Sequence, residues 1–179
     1  ALYGGSLSAQ DADATAEDDN VIIITAAKRP TSLQETPIAI AVVSEESIEQ
    51  TKIQDIFDLQ ALVPTLRVTP LQRSTNTSFS LRGFANGTNN TGIEPSVGVF
   101  IDGVYRSRAA AQIGDLPRLD QIEVLSGPQS TLFGKNASAG VINVRTKAPS
   151  YDLEGKGELG IGNYNQQTIK AYVTNGISD

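Results

Sequence analysis

The sequence predicts a small α/β domain, with a mixed sheet and short helices, followed by a pair of antiparallel strands. Three observations carry this. Short apolar alternations recur at residues 97–101, 121–126 and 141–145, each bounded by Gly, Pro or Asp-Gly turn signals. Between residues 44 and 64 the apolar spacing turns helical and is framed by capping residues and a proline. Residues 150–179 alternate again over two segments around Asn163-Tyr164-Asn165, a pattern shared by soluble hairpins and by strands of a membrane barrel.

Composition narrows function before any motif does. The chain has 179 residues, 39% of them hydrophobic, enough for one moderate core with short appendages. It contains no Cys and no His, so thiolate chemistry, disulfides, His-ligated metals and His-based triads have no donor in it. The formal charge of −6 argues against a nucleic-acid partner, because there is no net positive field to displace counterions. With no Met, the chain is expected to be a processed or truncated piece of something longer. No cofactor is expected.

The elements follow in order. "LSA", ending at Ala9, resembles the end of a secretory signal peptide, or is an ordinary terminus. Residues 10–20, "QDADATAEDDN", are small and acidic and read as a flexible arm. The arm meets "VIIITA" (Val21, Ile22, Ile23, Ile24, Thr25, Ala26), the most β-prone run in the chain. Between that acidic leader and "AKRPTSLQETP", it is expected to be an exposed strand with open backbone groups, ready to join another sheet's edge.

After Pro37, "IAIAVVS" reads as a short buried strand, with Ser44 as N-cap for a helix over "EESIEQ". Thr51 and Gln54 make a capping-box pattern for a second helix through Ile53, Ile56, Phe57 and Leu59, ended by Pro64. Residues 69–96 are rich in Asn, Thr and Gly; only "SFSLRG" reads as a strand, with Arg82 on its far side or at its end. Long loops on a rigid scaffold are where binding usually resides. "SVGVFIDGVYRSR" is a hairpin signal, Asp102-Gly103 supplying the positive φ angles of a two-residue turn.

Between the strands "QIEVLS" and "VINVRTK" lies "VLSGPQSTLFGKN", which looks like a phosphate loop and fails as one. A P-loop needs four residues between its first Gly and the Gly-Lys-Ser/Thr, and a helix beginning at that Lys. Here the spacing is longer, Asn136 follows Lys135, Pro128 removes an N–H, and the chain continues into a strand. What remains is a short helix, with Pro128 in its first turn and Gly134 as its left-handed stop.

Together "VIIITA", "SLRG", "VGVFIDGVY" and "QIEVLSGPQSTLFGKNASAGVINVRTK" resemble the N-terminal plug of TonB-dependent outer-membrane receptors. The resemblance implies an α/β plug domain at residues 30–149, inside a barrel whose first strands are residues 150–179. It implies residues 10–29 as a periplasmic arm, with Val21 to Ala26 as the TonB box. The implied partners are TonB of the TonB-ExbB-ExbD complex and a ferric siderophore or other large solute. Plug loops expected to face that ligand carry Arg73, Asn76, Phe84, Asn86 and Asn89. A plug-to-barrel latch is expected at Arg82, Glu123 and Ser126; family members usually have Arg where this chain has Ser126, so the latch is expected to be lighter by one buried charge pair. Two rivals stand beside this: a periplasmic adaptor or secretin-like scaffold module, and an enzyme using a carboxylate pair, for which Asp102 and Asp115 are the nearest candidates.

Overall fold

The computed structural model describes residues 22–25, 31–51, 53, 55–70, 77–85, 95–107 and 118–176. Its elements are β1 (Ile23–Ile24), β2 (Thr31–Ser32), a 3-10 turn (Leu33–Glu35), β3 (Ala39–Ser44), α1 (Glu45–Thr51) and a second 3-10 turn (Asp58–Ala61). Next come β4 (Leu66–Pro70), β5 (Thr77–Leu81), β6 (Phe84–Ala85), β7 (Val97–Ile101), β8 (Val104–Tyr105) and β9 (Leu119–Ser126). They are followed by α2 (Ser130–Phe133), β10 (Gly140–Thr146), β11 (Glu154–Ile161) and β12 (Gln167–Thr174).

A five-stranded sheet ordered β3-β9-β10-β7-β8 forms the centre. It is mixed: β10 runs parallel to β7 and antiparallel to β9. Strand alternation sends Ile122, Val124, Ile142, Val144, Val97 and Val99 to one face, where they pack with Ile48, Ile56, Leu59, Leu66, Phe79 and Leu81. The opposite face carries a smaller cluster of Phe100, Leu125, Ala137 and Val141, with Phe133 against it. Because both faces are covered, β9 is buried along most of its length, and Glu123 is carried into the interior with its apolar neighbours.

Turn chemistry fixes the corners. Asp102 (φ 50°) and Gly103 (φ 78°) make the expected hairpin turn between β7 and β8. Arg82 (φ 52°) and Gly83 (φ 83°) make another between β5 and β6, which places Arg82 at the strand end. Gly140 is required by space as well as by its φ of 156°: a Cβ there would stand 2.3 Å from the Leu125 carbonyl oxygen and 2.4 Å from Leu81 Cδ1.

Several local expectations need correction. Among the described residues the 39–44 segment is an edge strand, paired with β9 alone and half-buried, because no described strand covers its outer side. Ser44 does cap α1, accepting from the Ser47 N–H. No second helix begins at Thr51, however: its hydroxyl donates back to the Ser47 carbonyl at 2.6 Å and so belongs to the end of α1. Among the described residues beyond it, Ile53, Ile56 and Phe57 lie outside any helix and Asp58–Ala61 form a 3-10 turn, while Gln54 lies outside the described residues. In α2, Pro128 lies before the Gln129 N-cap, and Gly134 (φ 82°, ψ −177°) ends the helix in an extended conformation open to glycine, not in the left-handed helical one.

Candidate functional site

The β-branched arm was expected to be open, and it is docked. Ile23 and Ile24 pair antiparallel with Ser32 and Thr31, and the Leu33 N–H donates to the Ile22 carbonyl at 3.0 Å. Ile24 is fully buried, whereas Ile22 and Ile23 remain about half exposed. The physical reason is that an edge with unmet backbone groups and an apolar side chain gains by folding onto the nearest groove of its own chain. Val21 and Ala26 lie outside the described residues.

Three polar side chains on the second face of the sheet receive this arm. Glu123 Oε1 accepts from the Thr25 N–H at 2.6 Å and from the Thr25 hydroxyl at 3.2 Å. Gln121 Nε2 donates both to the Ile23 carbonyl at 3.2 Å and to Glu123 Oε1 at 2.5 Å. Asn143 Nδ2, one strand over, donates to Glu123 Oε2 at 3.0 Å. Strand register explains the grouping: Glu123 stands opposite Asn143 in the β9–β10 ladder, and Gln121 lies two residues away on the same face. An open cavity of about 320 Å³ borders Thr25 and Asn143. Glu123, expected in a latch to the barrel, thus has both oxygens bonded to neutral donors of the domain and its arm.

Charged residues join the domain to the β11–β12 hairpin. Lys156 on β11 pairs with Glu49 on α1, and Lys147 pairs with Glu45 at 2.6 Å. Arg118 reaches Glu45 and Glu154, each at 3.5 Å, and lies 4.2 Å from the Tyr172 ring centroid on β12. The Lys156 hydrogen bond, reinforced by its charge, holds the Glu49 carboxyl below the usual carboxylate range. The seam therefore combines acids of α1 with bases from the hairpin, its connector and the residue before β9. In the sequence, the only available signal was polar residues alternating on β11 and acids at the start of α1.

The hairpin's two faces differ as the alternation requires. Glu154, Lys156 and Tyr172 turn toward the domain, while Leu159 and Ile161 are 81% and 92% exposed, with Ile169 and Val173 beside them. No helix among the described residues is long and apolar enough to cross a membrane.

The remaining expected positions fall as follows. Phe84 is exposed just past the Arg82-Gly83 turn, and Arg82 is exposed in it. Ser126 is half-buried between Ala39 and Gly140 in the sheet register. Arg73, Asn76, Asn86, Asn89 and Asp115 lie outside the described residues. Asp102 spends its carboxylate on the Thr146 N–H and hydroxyl, both at 2.8 Å, in keeping with a turn role.

Comparison with known proteins agrees with this geometry. The family model of the TonB-dependent receptor plug domain matches residues 32–141. The iron-regulated outer membrane virulence protein of Vibrio cholerae serotype O1 is 31% identical over 99% of this chain and 28% of its own length. The ferrioxamine B receptor of Salmonella typhimurium is 25% identical over 98% of this chain and 26% of its own length. The crystal structure of the ferric yersiniabactin uptake receptor FyuA from Yersinia pestis superposes with a TM-score of 0.71 at 26% identity, over 79% of this chain and 22% of that one. The chain spans about a quarter of the length of these relatives. The mixed sheet, the largely buried β9–β10 pair and the match over residues 32–141 lead to one conclusion: the chain belongs to the TonB-dependent receptor plug domain family.

Proposed function

We propose that this chain is the plug region of an outer-membrane receptor that gates energy-coupled import of a scarce ligand, a ferric siderophore or another large solute. Residues 30–149 are the plug, residues 150–179 the first barrel strands, and residues 10–29 a periplasmic arm whose residues 21–26 are the TonB box. The observation that carries this reading is the two-faced hairpin: polar residues bound to the domain, apolar residues bare on the outside. Lipid accepts such an apolar face, and it accepts backbone only in helices or closed barrels, so the strands belong in a barrel wall. A barrel wide enough for a folded domain must be blocked to remain a barrier.

The names of relatives give the ligand class its support: they include receptors for ferrioxamine B and ferric yersiniabactin, and also a vitamin B12 transporter. Transport of this kind needs no catalytic residue. The ligand is received by loops carrying Arg73, Asn76, Phe84, Asn86 and Asn89, and pull arrives through the arm. Strand addition suits that task, because backbone pairing transmits force without particular side chains. Substituting Ile23→Pro removes a backbone donor from the arm and is expected to abolish uptake while ligand binding persists. Undiminished uptake by this variant refutes the TonB-box assignment.

A further inference from the structure

We infer that the exposed face of β4 and β5 is a subsite for an anionic group, and that the ligand of this receptor is a negatively charged ferric chelate. The inference rests on the ferric ligand class proposed above and gives it a sign of charge. Residues 59–93 contain Arg67, Arg73 and Arg82 and no acid, in a chain whose formal charge is −6. Positive charge is thus gathered on and around a three-stranded sheet that carries no carboxylate.

The strand period separates the two faces of that sheet. Leu66, Val68, Phe79 and Leu81 face the core and are buried, whereas Arg67, Thr69, Ser78 and Ser80 alternate with them on the other face. Register sets Arg67 directly opposite Ser80 and Thr69 opposite Ser78, with the Cβ atoms of each pair about 5 Å apart. Among the described residues none of these four side chains has a hydrogen-bond or ion-pair partner. Their donors are therefore left for a ligand. A guanidinium beside hydroxyls suits a carboxylate or phenolate oxygen, because Arg supplies charge with a fork of N–H groups and the hydroxyls add further donors.

Topology brings this face beside the loops proposed to receive ligand. β4 ends at Pro70, β5 begins opposite it at Thr77, and β6, antiparallel to β5, runs back toward the same end. Residues 71–76 therefore join the sheet beside Thr69 and Ser78, and the chain beyond Ala85 leaves in that direction. Thr77 at this end is 6% exposed, and its buried hydroxyl has no partner, which leaves a polar atom for ligand or water to satisfy. Inside a barrel lumen the attraction of an unpaired cation is strengthened, because low-dielectric walls focus its field.

The test uses the full-length receptor in a strain stripped of its other iron receptors, with radioactive iron offered as ferric citrate, as a ferric catecholate and as ferrioxamine B. The first two chelates are anionic and the third is cationic. Uptake of at least one anionic chelate is expected to exceed that of ferrioxamine B about ten-fold or more. Arg67→Gln is expected to raise the half-saturating concentration of that chelate about ten- to a hundred-fold, the loss of one hydrogen bond between charged groups, with the maximal rate unchanged. Arg67→Lys, which keeps the charge, is expected to recover part of the loss, and added salt to weaken the parent more than Arg67→Gln. The melting temperature of Arg67→Gln is expected to match the parent. Unchanged uptake by Arg67→Gln overturns the subsite, and a fall in its melting temperature in that case assigns Arg67 to an acid of the barrel wall. Uptake that favours ferrioxamine B, or that ignores charge, overturns the sign of the ligand and leaves the ferric ligand class standing. Uptake of none of the three overturns that class, and the inference with it.

Discussion

Replacing Gly140 by Ala tests the centre of the fold. At this point β10 leaves the α2 loop and pairs with Ser126 of β9 and Val97 of β7. An added Cβ would lie 2.3 Å from the Leu125 carbonyl oxygen and 2.4 Å from a methyl of Leu81, which belongs to the β4-β5-β6 sheet. Leu81 can yield by changing rotamer, but the carbonyl is part of the β9 backbone and can move only if the strands part. The φ of 156° adds strain, because an L side chain rarely adopts it. Backbone strain of about 1–3 kcal/mol and overpacking of about 1–3 kcal/mol together put the loss at about 2–6 kcal/mol. Against a typical total of about 5–15 kcal/mol this is severe. Urea unfolding of the receptor, followed by hydrogen exchange of the β9 and β10 amides, measures it. Gly157→Ala is the control, since a Cβ there meets nothing within 4 Å. A loss under about 1 kcal/mol at Gly140, or equal losses at both sites, refutes the steric argument.

Other consequences can be checked separately. Glu49 has a lowered folded pKa, so its pairing with Lys156 is fully present above the ordinary carboxylate range and is lost only as pH falls through the lowered value. Side-chain NMR should therefore show Glu49 titrating at lower pH in the parent than in Lys156→Gln, and identical midpoints would refute the seam. Because the pair is exposed, little change in overall stability is expected with it. Asp102→Ala removes two hydrogen bonds to Thr146 and a residue tolerant of positive φ, and should cost about 1–3 kcal/mol in the same urea assay. Asp102→Asn, which tolerates that φ and keeps one acceptor oxygen, should cost less.

The corners and strands of this fold were legible locally. Asp102-Gly103 announced its hairpin because positive φ is a property of the residue types, and Ile122, Val124, Ile142 and Val144 announced their face because strand period is two. The rejection of a phosphate loop at "VLSGPQSTLFGKN" was local as well, resting on spacing and on Pro128. The second helix failed because Thr51 had two uses for its hydroxyl, and a capping pattern does not say which one the finished fold prefers.

What the sequence determined by itself was the family, the strand alternation and the existence of a β-prone arm, all properties of short stretches. Only the tertiary structure decided where the arm goes and what joins the domain to its hairpin. Glu123 and Thr25 are 98 residues apart, and Lys156 and Glu49 are 107 apart. Each of these contacts depends on strand order, since β9 meets β10 and β3 only after the sheet has closed. A carboxylate in "QIEVLS" says that a charge sits on a strand. Burial on both faces, with Asn143 opposite and Gln121 alongside, turns it into the residue that holds the arm.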